Sequence, residues 1–214
     1  MPMPTAPKIY HFVHVDRLPS IIADGNIWCD AEIVRQNPGG TTIGMESIKR
    51  RRLTLPVRCH DQDYVGDYVS FYFCSRSVML YVLYRANHQE LTYREGQNPI
   101  VHLEADLYEV IAWADSEGRR WAFSLSNAGA GYAEFRSELD QFVEINWDAV
   151  MARDWRDSDI KEGKQAEFLV HHSFPWQLVS RVGVGSRRVY DQVRAALQAA
   201  DHQPRVEIKP DWYY

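Results

Sequence analysis

The sequence predicts an α+β fold in one domain. Short runs of β-forming residues are interrupted by short helical patterns, without regular strand–helix–strand alternation. No Gly-rich turn follows the first such run, and a doubly wound nucleotide-binding sheet would need one. The 214 residues fit one domain, or at most two small ones.

In chain order, residues 1–8 are expected to be loose, the first six being Pro-rich. Ile9–Val13 is a short β-rich run. Asp16 reads as the N-cap of a helix over Arg17–Ala23, stopped by Gly25. Asn37–Thr42 (NPGGTT) is a loop signal. Met45–Arg52 is polar and basic. Leu53–Val57 follows as a β-type run that Pro56 demotes to an edge or irregular strand, and Val57–Tyr68 is mostly loop. Tyr68–Cys74 (YVSFYFC) is dense in β-formers and predicts a buried strand. A helix over Ser77–Arg85 takes Ser77 as its cap. Ile100–Glu104 reads as a strand and Trp121–Phe123 as part of one. Tyr132–Phe142 reads as a helix, Trp147–Trp155 as a short one and Arg153–Gly163 as a polar loop. Glu167–Val170 leads a strand and Val179–Val184 forms another. Val189, Val193, Ala196, Leu197 and Ala200 have helical spacing. Val206–Ile208 with the WYY ending gives a final strand.

Composition narrows the class. A chain with 45% hydrophobic and 25% charged residues buries an ordinary core and needs no metal or disulfide staple. Cys29, Cys59 and Cys74 are odd in number and far apart, so neither a zinc ribbon nor a disulfide framework is expected. No apolar run approaches about 18 residues, and the N-terminus lacks a signal-peptide layout. A cytoplasmic protein without a membrane partner is expected. The 29 acidic against 24 basic residues, a net charge of −5, argue against a positively coated protein. They do not exclude a local basic groove.

Four constellations carry possible chemistry. His11 and His14 leave the first strand just before a helix. They are either ordinary strand-end histidines or groups that meet a ribose hydroxyl, with imidazole as donor; no metal motif accompanies them. Lys49-Arg50-Arg51-Arg52 is either a solvated face or a phosphate-binding cluster, which Arg58, Arg76 and Arg85 extend. The aromatic stretch Tyr68–Tyr81 is mostly core, though rings at a strand edge also sandwich a flat heterocycle. Glu167, in KQAEFLV, opens an apolar strand; a carboxylate there is either salt-bridged or functional.

The order of these blocks is more specific than any one of them. YHFVHVDRLPSIIADG, IKRRR, DYVSFYFCSRSVMLY, KQAEFLV and the ending IKPDWYY together resemble the DarT family of bacterial toxins. That family ADP-ribosylates bases in single-stranded DNA with NAD+. The resemblance runs from about Ile9 to Tyr214 and is most specific in the Arg-Ser-Val-Met-Leu-Tyr and KQAEFLV blocks. It implies residues 9–214 to be one catalytic domain with an ADP-ribosyltransferase-like split β-sheet and flanking helices, with NAD+ in the cleft.

Residue by residue, the resemblance implies a ribose-binding role for His11. Phe12 and Val13 then meet the nicotinamide end through backbone, with Val13 standing where the family commonly has Thr. Ser20 and Trp28 fall where the family lines its NAD+ site. The essential Arg maps to Arg51, with a one-residue ambiguity towards Arg52, and the catalytic Glu to Glu167. Asp154–Ala166 matches the segment that presents the target base. Asn127 sits where many relatives carry His or Asn, but its Ser-Leu-Ser context departs from the family's turn. Lys49, Arg50 and Arg58 are candidates for the DNA backbone. The expected function is transfer of ADP-ribose from NAD+ to thymine N3 in single-stranded DNA, without a metal. The resemblance further implies a toxin–antitoxin pair whose partner is a macrodomain hydrolase, and the toxin is expected to be a monomer. A guanine acceptor, or a non-catalytic nucleic-acid-binding module, remains the alternative.

Overall fold

The structure is a computed structural model that describes residues 2–36 and 39–214; Asn37 and Pro38 of the expected NPGGTT loop lie outside the described residues. Its elements are β1 Lys8–His14, α1 Leu18–Asp24, β2 Asn26–Trp28, α2 Asp30–Gln36, α3 Glu46–Arg52, β3 Tyr68–Tyr72 and α4 Val78–Arg85. There follow β4 Ile100–Asp106, α5 Leu107–Ser116, β5 Trp121–Asn127, β6 Phe135–Arg136, α6 Trp147–Met151 and α7 Ser158–Gly163. The chain continues with β7 Ala166–His171, β8 Ser173–Pro175, β9 Arg181–Val184, α8 Arg187–Ala196 and β10 Arg205–Ile208.

Eight strands form one sheet in the order β10-β9-β4-β1-β3-β7-β5-β6, and β2 pairs with β8 apart from it. All neighbours are antiparallel except β10 and β9. β1 pairs with β4 over seven residues, yet meets β3 in register only at Tyr10 and Tyr72. The sheet therefore splits between β1 and β3, and a cleft opens there. β4 and β7 are buried over nearly their whole length, as expected for strands covered on both faces. Phe71, Phe123, Phe142, Phe168 and Phe174 fill the core at 0–1% exposure. Sheet burial of this kind fixes the backbone of β7, and with it the direction of Glu167.

Several local expectations are corrected. Asp16 does not cap α1: that helix begins after Arg17 without a side-chain cap. The Asp16 carboxylate instead accepts from the Thr41 amide and hydroxyl, pinning the loop before α3. Gly25 does end α1, at φ +64°, a conformation that favours Gly. Leu53–Val57 is not a strand. The loop folds back on itself with one bridge, Pro56 to Tyr64. A Cβ on Gly66 would lie 2.7 Å from the Leu53 side chain, so the loop closes only around Gly. Tyr132–Phe142 is not a helix, because β6 adds to the β5 edge and a 3-10 turn over Leu139–Glu144 follows. The polar stretch Arg153–Gly163 contains α7, capped by Asp157. The WYY ending is no strand: Pro210–Trp212 form a 3-10 turn. At the N-terminal end Lys8 opens β1 and pairs with Asp106, and Met3 packs against the core.

Candidate active site

Glu167 is the second residue of β7 and faces Tyr72 across the ladder with β3. Its side chain is 3% exposed. The carboxylate accepts from Arg52 Nη1 at 3.0 Å (Oε2) and 3.3 Å (Oε1), and from the Ala128 amide at 3.2 Å. Its own amide donates to Ser124 Oγ. Arg52 ends α3 and is buried as well, with its Nε 3.8 Å from Asp30 Oδ2. Burial works against the charge of this guanidinium, and the carboxylates of Glu167 and Asp30 outweigh it and hold the pKa raised. Arg52 Nη2 is buried and has no hydrogen-bond partner. Tyr72, beside the pair, has its hydroxyl pKa pushed up by burial and by Glu167.

The helical period decides the arginine register. Residues 49 and 52 share one face of α3, while 50 and 51 fall on others. Lys49 and Arg52 accordingly line the cleft, and Arg50 and Arg51 do not. Arg50 is exposed and pairs with Glu46. Arg51 is exposed and its Nη2 lies near the Gly129 turn. The arginine that meets Glu167 is thus Arg52 and not Arg51, to which the resemblance pointed first. Arg58 is exposed in the loop after α3 and is not part of the cleft wall.

His11 lies across the cleft on β1. Its Nδ1 is 2.8 Å from the Ser70 carbonyl, which only accepts, so Nδ1 carries the proton. Burial lowers the His11 pKa, against the Ser70 bond and the Asp30 charge, which raise it. The ring is neutral, and Nε2 is an acceptor. The expected polarity is thereby reversed: in this tautomer Nε2 offers an acceptor to the cleft rather than a donor. Phe12 and Val13 follow on the β1 edge that β3 leaves open, and the Phe12 ring stacks on Tyr72 at 5.6 Å. Ser20 and Trp28 also line the cleft. Ser20 Oγ donates to the Arg17 carbonyl, and Trp28 Nε1 to Asp24. Asn127 donates to Gln165 at 3.3 Å and accepts from the Gly129 amide, so it shapes the wall beside Glu167.

The cleft holds about 480 Å³, within the range of pockets that enclose a small ligand. Apolar residues of α4 (Val78, Met79, Val82) form one wall. The sequence reading missed Asp30, Tyr72 and Gln165 as members of the site. Gln165 stood in the quoted KQAEFLV and Tyr72 in YVSFYFC, but nothing local distinguishes a cleft aspartate at position 30. No helix is long and apolar enough to cross a membrane, and no cluster of three metal-ligating side chains is found, among the described residues. This chemistry is that of a fixed carboxylate and a buried cation facing a mixed polar and apolar cleft. It can stabilise a cationic centre and a developing anion side by side.

The family model described as DarT, ssDNA thymidine ADP-ribosyltransferase, matches residues 10–214. A DNA ADP-ribosyl transferase of Thermus sp. (strain 2.9) is 34% identical, covering 100% of this chain and 98% of that protein. One of Mycobacterium tuberculosis is 30% identical, covering 96% and 88%. Among solved structures, Thermus sp. 2.9 DarT in complex with ADP-ribosylated ssDNA superposes with a TM-score of 0.88 at 33% identity, covering 100% of both chains. The same protein in complex with NAD+ gives 0.82 at 32%, covering 99% of each.

Proposed function

Because the chain belongs to the DarT family of single-stranded-DNA thymidine ADP-ribosyltransferases, we propose that it moves ADP-ribose from NAD+ onto thymine N3 of single-stranded DNA, as the toxin of a toxin–antitoxin pair. The observation that carries this reading is the buried Glu167–Arg52 pair at the split of the sheet, opposite the neutral His11. The Thermus relatives have been solved with NAD+ and with ADP-ribosylated ssDNA.

NAD+ is the co-substrate. Its ribose hydroxyl donates to His11 Nε2, and the cleft edge at Phe12, Val13, Ser20 and Trp28 takes the rest of the dinucleotide. Cleavage of the bond between ribose C1′ and nicotinamide sends the electron pair to nicotinamide. The ribose becomes cationic, and Glu167 stabilises that charge electrostatically. Thymine N3 then bonds to C1′ as its proton is released to solvent. Arg52 stays protonated and is a poor base; its role is to stabilise the developing imide anion. In duplex DNA N3 is occupied, so a single strand avoids the cost of flipping, a few kcal/mol.

In this reading Lys49, which lines the cleft, and the exposed Arg50, Arg51 and Arg58 contact the DNA backbone. Tyr81 and Tyr84 of α4 form a ring cluster with Trp155 and Tyr214 on which bases can stack, with Arg76 over Tyr214 at 4.4 Å. The partner this reading requires is a macrodomain hydrolase that removes the ADP-ribose.

The test is mass spectrometry of thymine-only and guanine-only oligonucleotides incubated with NAD+ and the protein. The thymine strand is expected to gain one ADP-ribose at N3 with release of nicotinamide, and Glu167→Gln to lose this by roughly 100-fold or more. Modification of guanine alone would move the acceptor. Binding without nicotinamide release would leave a non-catalytic module.

A further inference from the structure

Arg52 is unusually committed for a side chain that serves a substrate. Its guanidinium is divided three ways: Nη1 donates to Glu167, Nε faces Asp30, and Nη2 has no partner. Asp30 opens α2 and also lies 3.8 Å from Lys49 Nζ. One arginine therefore ties β7, α3 and α2 together at the cleft. The cluster is balanced, with two carboxylates against Arg52 and Lys49.

That balance matters when the reaction proceeds. As the ribose becomes cationic, the Glu167 charge is shared with it. Arg52 remains a buried cation, and a buried charge without a counter-charge is strongly unfavourable. Asp30 is the other carboxylate beside it. Its side chain is 27% exposed and its contacts at 3.8 Å are longer than hydrogen bonds, so it acts on Arg52 through its charge rather than through a bond.

We propose that Asp30 is a positioning residue for the transfer: it orients the Arg52 guanidinium against Glu167, and balances Arg52 while Glu167 faces the ribose cation. The proposal rests on the function assigned above, which the wild-type activity tests separately.

The experiment measures kcat and KM for NAD+ on a thymine oligonucleotide with wild type, Asp30→Asn, Asp30→Glu, Arg52→Lys and the Asp30→Asn/Arg52→Lys double variant, with a thermal melt of each. Asp30→Asn is expected to lower kcat roughly 10- to 100-fold with little change in KM, as loss of orientation does. Asp30→Glu should recover most of that loss. The double variant should be no slower than Arg52→Lys alone, because Asp30 acts through Arg52. A kcat for Asp30→Asn within about twofold of wild type, a loss confined to KM, or additive losses in the double variant would each overturn the role. An inactive wild type overturns the function and this role together; an active wild type with an indifferent Asp30→Asn overturns this role alone.

Discussion

Arg51 and Arg52 are one step apart along α3, and their surroundings separate them. Arg52 is 9% exposed at its side chain and bonded to Glu167, whereas Arg51 is exposed. Arg51→Ala is expected to keep transfer within a few-fold, while Arg52→Lys lowers it roughly 100-fold, since a point charge cannot reproduce the fork at Glu167 and Asp30. Side-by-side rates on one oligonucleotide decide this; equal losses would dissolve the distinction. Arg52→Ala is the poorer probe, because leaving Glu167 buried without its cation costs about 3–5 kcal/mol of stability. His11 adds a pH signature at the same scale. Its lowered pKa keeps Nε2 an acceptor as pH falls through 6.5, the ordinary histidine value. NAD+ affinity should therefore hold through that value and weaken only below it, as protonated Nε2 stops accepting. A titration of NAD+ binding that breaks at 6.5 would contradict the burial argument.

At the scale of elements, what could be read from sequence divides by mechanism. β3 and β7 are dense in β-formers and buried, and α4 follows a genuine cap: Ser77 Oγ accepts from the Leu80 amide. Ser77→Ala should cost about 1 kcal/mol in a urea melt, and because Val78, Met79 and Val82 wall the cleft, it should also weaken NAD+ binding. An unchanged midpoint would show that the cap is dispensable. α5 is legible in the chain, since Asp106 caps it and Leu107, Val110, Ile111 and Ala114 sit at helical spacing. β6 was not legible. Its two residues are held by pairing with Phe123 and Ser124, a tertiary contact that overrides local helical preference. The site divides the same way. Glu167 and the basic run announce themselves in the chain. The choice of Arg52 follows from helix phase, and Asp30 joins only because α2 and α3 meet at the cleft.

For the whole molecule, the net charge of −5 says little about the cluster at the cleft, where Glu167 and Asp30 face Arg52 and Lys49. Buried ionisable groups say more, because they set the pH range over which the fold holds. His102 is 0% exposed on β4, ringed by Phe12, Trp212 and Tyr213. Nε2 lies 2.9 Å from the Ser75 carbonyl, and Nδ1 is buried with no partner, so the neutral ring is the one that fits. Burial lowers its pKa from 6.5 to about 4. The unfolded chain takes up a proton near 6.5 and the folded one does not, so stability is full above 6.5 and declines as pH falls towards 4. The loss over that window is about 3 kcal/mol from this residue alone. Burial of His11 adds to it in the same direction. The aspartates behave differently. Asp63 is bonded to Arg120 and Tyr68, and Asp106 to Lys8. Burial acts to raise both, yet these partners hold them below the ordinary carboxylate value of 3.8, so their contribution survives until pH falls past it. Acid unfolding should therefore come in two stages, histidines first and carboxylates after. Urea unfolding followed from about pH 7.5 to 4.5 should show stability falling by about 1.4 kcal/mol per pH unit below 6.5 from His102 alone. His102→Gln, whose amide can still donate to Ser75, should start less stable at neutral pH but lose less over the same range. A variant that declines as steeply as wild type would place the acid sensitivity elsewhere in the chain.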